Sequence, residues 1–192
     1  MFKVSNLGLK IALGASLYAA GGVMLPTANA NLIDDAYGIG AGSFELGQFT
    51  PIGINELSFM VLAPGSTTIT GWTVGGSGEG VDWATDFYGP DTGDYAVDLR
   101  HLTGGSSTTS TVIDTTVNSL YELSFSTASV LGYSNTGVFS AGSLVNQAFT
   151  ATFSPANTFS TQLFTPLTFQ FTATGPSPQS YFKAPELLCM GR

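Results

Sequence analysis

Apolar and polar residues alternate with a period of two along much of this chain. Tyr121, Leu123 and Phe125 alternate with Glu122, Ser124 and Ser126, and Phe149, Ala151 and Phe153 with Thr150, Thr152 and Ser154. Leu167, Phe169, Phe171 and Ala173 alternate with Thr168, Gln170, Thr172 and Thr174; Tyr95, Val97 and Leu99 alternate with Asp94, Ala96, Asp98 and Arg100. Successive side chains on a strand point to opposite faces, so each segment predicts a strand with one buried face and one wet face. That is the pattern of an antiparallel sheet covered on one side. No stretch of useful length carries the three-and-four spacing of an amphipathic helix. Ala63-Pro64-Gly65-Ser66, the glycine-rich 75–80, Gly89-Pro90-Asp91, Gly104-Gly105-Ser106 and Ser154-Pro155-Ala156-Asn157 punctuate the strands and supply the backbone angles that turns need. Roughly eight to ten short strands at this spacing predict an all-β fold, an antiparallel β-sandwich with the jelly roll as its preferred version.

The two ends break the pattern. Lys3 and Lys10 flank an n-region, 11–25 is a small-residue apolar run, and Ala28-Asn29-Ala30 forms an A-x-A site. Together these predict a secretory signal peptide over residues 1–30, cleaved after Ala30. The apolar run falls short of the roughly 20 residues a membrane span needs, so no stable membrane anchor is expected. From Pro176 the chain reads PSPQSYFKAPELLCMGR, with no alternation and the single cysteine, Cys189. The domain scheme is therefore a leader at 1–30, a β-sandwich at 31–175 and an atypical tail at 176–192. The tail reads either as a flexible extension or as the product of a changed reading frame, which would leave the domain short of its final strand.

Composition narrows the partners. Only 9% of residues are charged, while phenylalanine numbers 14. Short polar residues solvate such a surface and phenylalanine fills a β core. Without the leader, three basic residues (Arg100, Lys183 and Arg192) face thirteen acids. A surface of that sign repels phosphate backbones and anionic lipid, so nucleic acid is not an expected partner; cations and neutral polar ligands suit it better. One cysteine permits no intrachain disulfide, and packing alone must hold the fold.

Candidate chemistry concentrates in residues 69–100, which hold both tryptophans and Glu79, Asp82, Asp86, Asp91, Asp94 and Asp98. Trp72, beside Gly71, reads as core. Trp83 and Tyr88, in a loop-rich segment, read equally as core or as a platform for the apolar face of a pyranose. Asp82, Asp86 and Asp91 lie near enough in sequence to accept hydrogen bonds from sugar hydroxyls, and loops on a rigid sandwich are where binding usually resides. Catalysis finds little support. His101 is the single histidine and no Gly-x-Ser-x-Gly elbow exists. Glu79 with Asp82 would be the carboxylate pair of a glycoside hydrolase, but no general acid in an apolar setting stands out. The glycine runs at 38–42 and 76–80 open no helix, so no phosphate cradle follows.

An ordered set of motifs carries a resemblance across 42–175. It comprises Gly42-Ser43-Phe44-Glu45; Gly65-Ser66-Thr67 with Ile69 and Gly71-Trp72; Val81-Asp82-Trp83; Asp94-Tyr95-Ala96-Val97-Asp98-Leu99; and Tyr121-Glu122-Leu123-Ser124-Phe125. In that order they resemble the choice-of-anchor C domain family, which is similar to the plant cell-wall domain of unknown function 642 family. The resemblance implies a galactose-binding-like jelly roll and a secreted, non-catalytic module that binds extracellular or cell-wall polysaccharide. It also implies that Glu45 helps hold a structural calcium. Members of the family continue past the position of Gly175 with a further strand and a sorting tail, neither of which this chain shows. The alternative function is a structural or adhesion protein of the extracellular matrix, whose open strand edges recruit another chain.

Overall fold

The computed structural model describes residues 2–10, 31–52, 59–85, 90–99, 107–129, 134–156, 158, 161–175 and 179–183. Among the described residues eleven strands and one short helix follow in the order β1 (Phe2–Lys10), α1 (Leu32–Tyr37), β2 (Phe59–Leu62), β3 (Thr73–Gly76), β4 (Val81–Ala84), β5 (Ala96–Asp98), β6 (Ser107–Val112), β7 (Leu120–Ser129), β8 (Asn135–Ala141), β9 (Leu144–Ala151), β10 (Thr165–Thr172) and β11 (Gln179–Lys183). They form a six-stranded sheet, ordered β10-β7-β1-β5-β4-β2, and a five-stranded sheet, ordered β3-β6-β11-β8-β9. Every strand pair is antiparallel. The all-β expectation therefore holds.

Alternation does the sorting it predicts along β10 and the first half of β7, while 125–129 is buried throughout, Ser126 included. Tyr121, Leu123 and Phe125 are buried while Glu122 and Ser124 are half-buried, and β10 pairs with β7 from Thr165↔Thr127 to Thr172↔Leu120. One cluster joins the two sheets. The Phe125 ring meets Phe139 of β8 edge-on at 5.6 Å and Phe149 of β9 at 5.0 Å, and Phe139 meets Phe169 of β10 at 4.6 Å. Such tilted and T-shaped contacts suit aromatic quadrupoles and add to the area they bury. Gly137 stands opposite Phe149 across β8 and β9, and the Phe149 ring lies within 2.4 Å of where a Cβ on Gly137 would be, so the glycine makes room for the ring.

Two features depart from expectation. Asp98, on the face expected to be wet, and Asp82, expected to meet sugar hydroxyls, are 0% and 3% exposed. The six-stranded sheet is thus covered on both faces around β4 and β5, where every residue of both strands is buried. β6 has the sequence STTSTV and presents Ser107, Thr109 and Thr111 as its buried positions. Hydroxyl residues carry a core face there, and a hydrophobic alternation cannot reveal it.

The sequence reads Phe2–Lys10 as part of a leader and Gln179–Lys183 as part of a tail; in the uncut chain both stretches pair as interior strands. β1 lies between β7 and β5, and β11 between β6 and β8. Backbone hydrogen bonds make the ladder, so a strand can be recruited without the alternating side chains that advertise it. Residues 11–30, with the A-x-A site, lie outside the described residues. No helix among the described residues is long and apolar enough to cross a membrane.

Candidate functional site

Two features stand side by side at one end of the six-stranded sheet: a turn locked by both tryptophans, and an open polar groove beside it. The turn follows α1. Asn31 caps that helix, its side chain accepting from the Ile33 N–H at 3.2 Å. Asp34 accepts from the Gly42 N–H at 2.7 Å and the Gly40 N–H at 3.2 Å, folding 38–45 back on the helix. Phe44 sits at φ 66°, a left-handed conformation that a bulky side chain adopts only when its surroundings hold it. Its ring is fully buried and meets Trp72 at 4.7 Å.

The indole N–H groups fix this turn from below. Trp72 donates to the Ala41 carbonyl at 2.8 Å and Trp83 to the Phe44 carbonyl at 3.0 Å. Trp83 is 1% exposed, with Phe49 edge-on at 5.1 Å and Tyr95 at 4.8 Å. Of its two sequence readings, core or sugar platform, the structure places it in the core, where no pyranose can reach either ring face.

Glu45 completes the turn. Its carboxylate accepts from the Asp94 N–H at 3.0 Å and the Tyr95 N–H at 3.1 Å, stapling the 91–95 bend to the turn. Desolvation pushes its carboxyl above the ordinary value. The two backbone donors oppose that shift, and the nearby Asp94 charge adds to it. Burial likewise raises the Tyr95 phenol, with the Asp94 and Glu45 charges contributing. Both Glu45 oxygens thus meet N–H donors, and no group of three His, Cys, Asp or Glu side chains suited to a metal occurs among the described residues. Calcium takes six to eight oxygens, backbone carbonyls among them, and Glu45 alone identifies no such site.

The remaining sequence candidates scatter. Asp82 lies within β4, buried, directly across from Asp98 of β5. Asp91 is exposed on the bend that Glu45 holds. Asp86 and Tyr88 lie outside the described residues, as does His101. Glu79 is exposed on a bend while Asp82 is buried, so the two do not face each other across an open cleft.

The groove was not foreseen. It is an open depression of about 510 Å³ lined by Leu46, Gly47, Gln48, Thr67, Thr68 and Thr70. Two strips of backbone form its walls, joined by the Gly47–Ile69 bridge and by the Thr70 N–H donating to the Leu46 carbonyl at 2.9 Å. Gly47 roofs Trp83: a Cβ there would lie 2.8 Å from the indole Cη2. The lining is neutral, three hydroxyls and a carboxamide over one leucine. Threonines in an ordinary loop carry no sequence signal for binding, which is why this strip passes unread. Comparison with family models, with curated proteins and with solved structures returns no match.

Proposed function

We propose that this chain is a secreted, non-catalytic module that binds a neutral polysaccharide of the cell surface or matrix, through the groove between 46–48 and 67–70. The observation that carries the reading is the chemistry of that groove. Gln48, Thr67, Thr68 and Thr70 offer uncharged donors and acceptors over the apolar Leu46, the mixture that sugar hydroxyls and C–H faces call for. Its volume lies in the range that small-ligand sites occupy, and its openness suits a segment of a longer chain. The acidic, lightly charged composition favours a neutral ligand over an anionic one. The leader-like start, the galactose-binding-like jelly roll and the likeness to the choice-of-anchor C domain belong to the same reading and support it from the sequence.

The test is titration of the folded chain against a panel of neutral polysaccharides, by array and by calorimetry, with and without calcium. Binding that Gln48→Ala with Thr67→Val weakens by about tenfold, a loss of roughly 1.4 kcal/mol, supports the groove. Binding that survives the double substitution unchanged moves the site elsewhere, and no binding across the panel overturns the reading.

A further inference from the structure

We propose that Tyr37 is a stacking platform that completes the groove, so that a pyranose chain lies in it with the C–H face of one sugar ring on the phenol. This rests on the reading of the groove as a polysaccharide site and adds the aromatic surface that its lining lacks.

Contacts to both walls of the groove set the place of the ring. Tyr37 ends α1, and the Gly38 N–H that follows donates to the Asp34 carbonyl at 2.8 Å. One wall is reached through Gly71, the residue after Thr70. A Cβ on Gly71 would lie 2.7 Å from Cγ and Cδ2 of Tyr37, so the ring rests where only a glycine leaves room. The other wall is reached through Leu46. A Cβ on Gly38 would lie 3.2 Å from Leu46 Cδ1, and one on Gly40 3.7 Å from Leu46 Cδ2. The Thr70 N–H donates to the Leu46 carbonyl at 2.9 Å, so both contacts fall at the same end of the groove. Tyr37 borders that end.

The ring there is both open and held. Among the described side chains Tyr37 is the one exposed aromatic, at 36%. Its hydroxyl donates to the Val112 carbonyl of β6, which anchors the far end of the side chain. Asp34 holds the loop that follows by accepting from the Gly40 and Gly42 N–H groups. A ring fixed before the ligand arrives loses little freedom on binding. Ile39, 91% exposed, adds apolar surface to the same loop. An aromatic ring takes the apolar face of a sugar while the hydroxyls and carboxamide of Thr67, Thr68, Thr70 and Gln48 take its polar edge. Trp83, the platform that the sequence suggests, is closed in the core; Tyr37 offers a ring at the surface.

The test titrates the full chain with soluble β-linked oligosaccharides of glucose, galactose and mannose by calorimetry, and follows the sugar C–H protons by NMR. Wild type is compared with Tyr37→Phe and Tyr37→Leu, with urea unfolding of each. Tyr37→Phe should bind within about twofold of wild type and Tyr37→Leu about tenfold more weakly, the scale of one aromatic contact. Sugar C–H resonances should move upfield on wild type and on Tyr37→Phe, and not on Tyr37→Leu, a ring-current signature that a merely structural role would not produce. Because the wild-type spectrum reads stacking directly, a leucine variant that fails to fold leaves the test intact. A phenylalanine variant as weak as the leucine one assigns the effect to the bond with Val112 and overturns stacking. Sugar binding that Tyr37→Leu leaves unchanged, or that shows no upfield shift on wild type, overturns the platform and leaves the groove standing. If Tyr37→Leu instead dissolves a dimer seen by light scattering and spares sugar affinity, the loop is a contact between copies and the platform falls. A wild-type chain that binds none of the three oligosaccharides removes the groove reading and the platform with it.

Discussion

The Trp83 indole donates to the Phe44 carbonyl at 3.0 Å across 39 residues of chain, and this bond joins the turn after α1 to β4 of the six-stranded sheet. Trp72 repeats the device three residues earlier, on Ala41. Two tryptophans thus hold one turn, and the Glu45 staple follows directly from where that turn ends.

Replacing Trp83 by phenylalanine should therefore cost stability and leave the groove's chemistry alone. The substitution leaves the buried Phe44 carbonyl without its donor and opens space beside Phe49 and Tyr95. Together these should destabilise by about 2–4 kcal/mol. Urea unfolding measures the loss. Polysaccharide affinity of the fraction that remains folded should change little, and a selective loss of affinity at unchanged stability would return Trp83 to the list of ligand contacts.

Gly93 and Glu45 should behave as one unit. Gly93 has φ 72°, and a Cβ there would lie 2.3 Å from Glu45 Oε1. Gly93→Ala displaces the carboxylate from its two backbone donors as well as straining the bend. Glu45→Ala removes the same hydrogen bonds, at a cost of about 1–2 kcal/mol for partly exposed charge-assisted bonds. The double variant should be less destabilised than the sum of the singles, and a double-mutant cycle by chemical denaturation checks it. Additive costs would mean that the bend does not depend on Glu45.

The same carboxylate gives a pH dependence with a definite sign. Its carboxyl is raised in the fold, chiefly by desolvation. The native state then holds the proton more tightly than the unfolded chain. Stability from this group is fully present below the unfolded carboxyl value and is lost as pH rises through the raised folded value. Wild type should exceed Glu45→Gln in stability by more in acid than at neutral pH. Denaturation of both proteins across the acidic range tests it, and an advantage that grows with pH would contradict the direction.

Much of the β architecture is written in side chains, and what is not written there has a physical cause. Tyr121, Leu123 and Phe125 announce β7 because one face is apolar and the other wet. β6 announces nothing, since Ser107, Thr109 and Thr111 fill its core face with small hydroxyl residues. β4 and β5 mislead: Asp82 and Asp98 look wet in sequence, but that face is covered as well. β1 and β11 pair through backbone groups common to every sequence, so no alternation marks them. In the turn after α1, Glu45 was legible as important through the motif around it. The backbone N–H groups of Asp94 and Tyr95 that it meets were not, because no residue letter records where an amide points. Gln48 and the threonines became a groove only once the Gly47–Ile69 bridge brought two distant strips together.

Gly47 and Gln48 separate the groove's scaffold from its contact surface. Gly47 has φ 152°, and a Cβ would fall 2.4 Å from the Thr68 carbonyl and 2.8 Å from Trp83 Cη2. Gly47→Ala must push the two strips apart or tilt the indole beneath, so it should lower stability by about 2 kcal/mol or more and weaken polysaccharide binding with it. Gln48 is exposed on the adjacent position and lines the groove. Gln48→Ala should leave the unfolding midpoint within about 0.5 kcal/mol of wild type and still reduce affinity. Paired measurements of unfolding and calorimetric binding on the two variants decide the matter. If Gln48→Ala binds as wild type does while Gly47→Ala loses affinity only in proportion to its unfolded fraction, the groove is a seam between two strips and the ligand sits on another face.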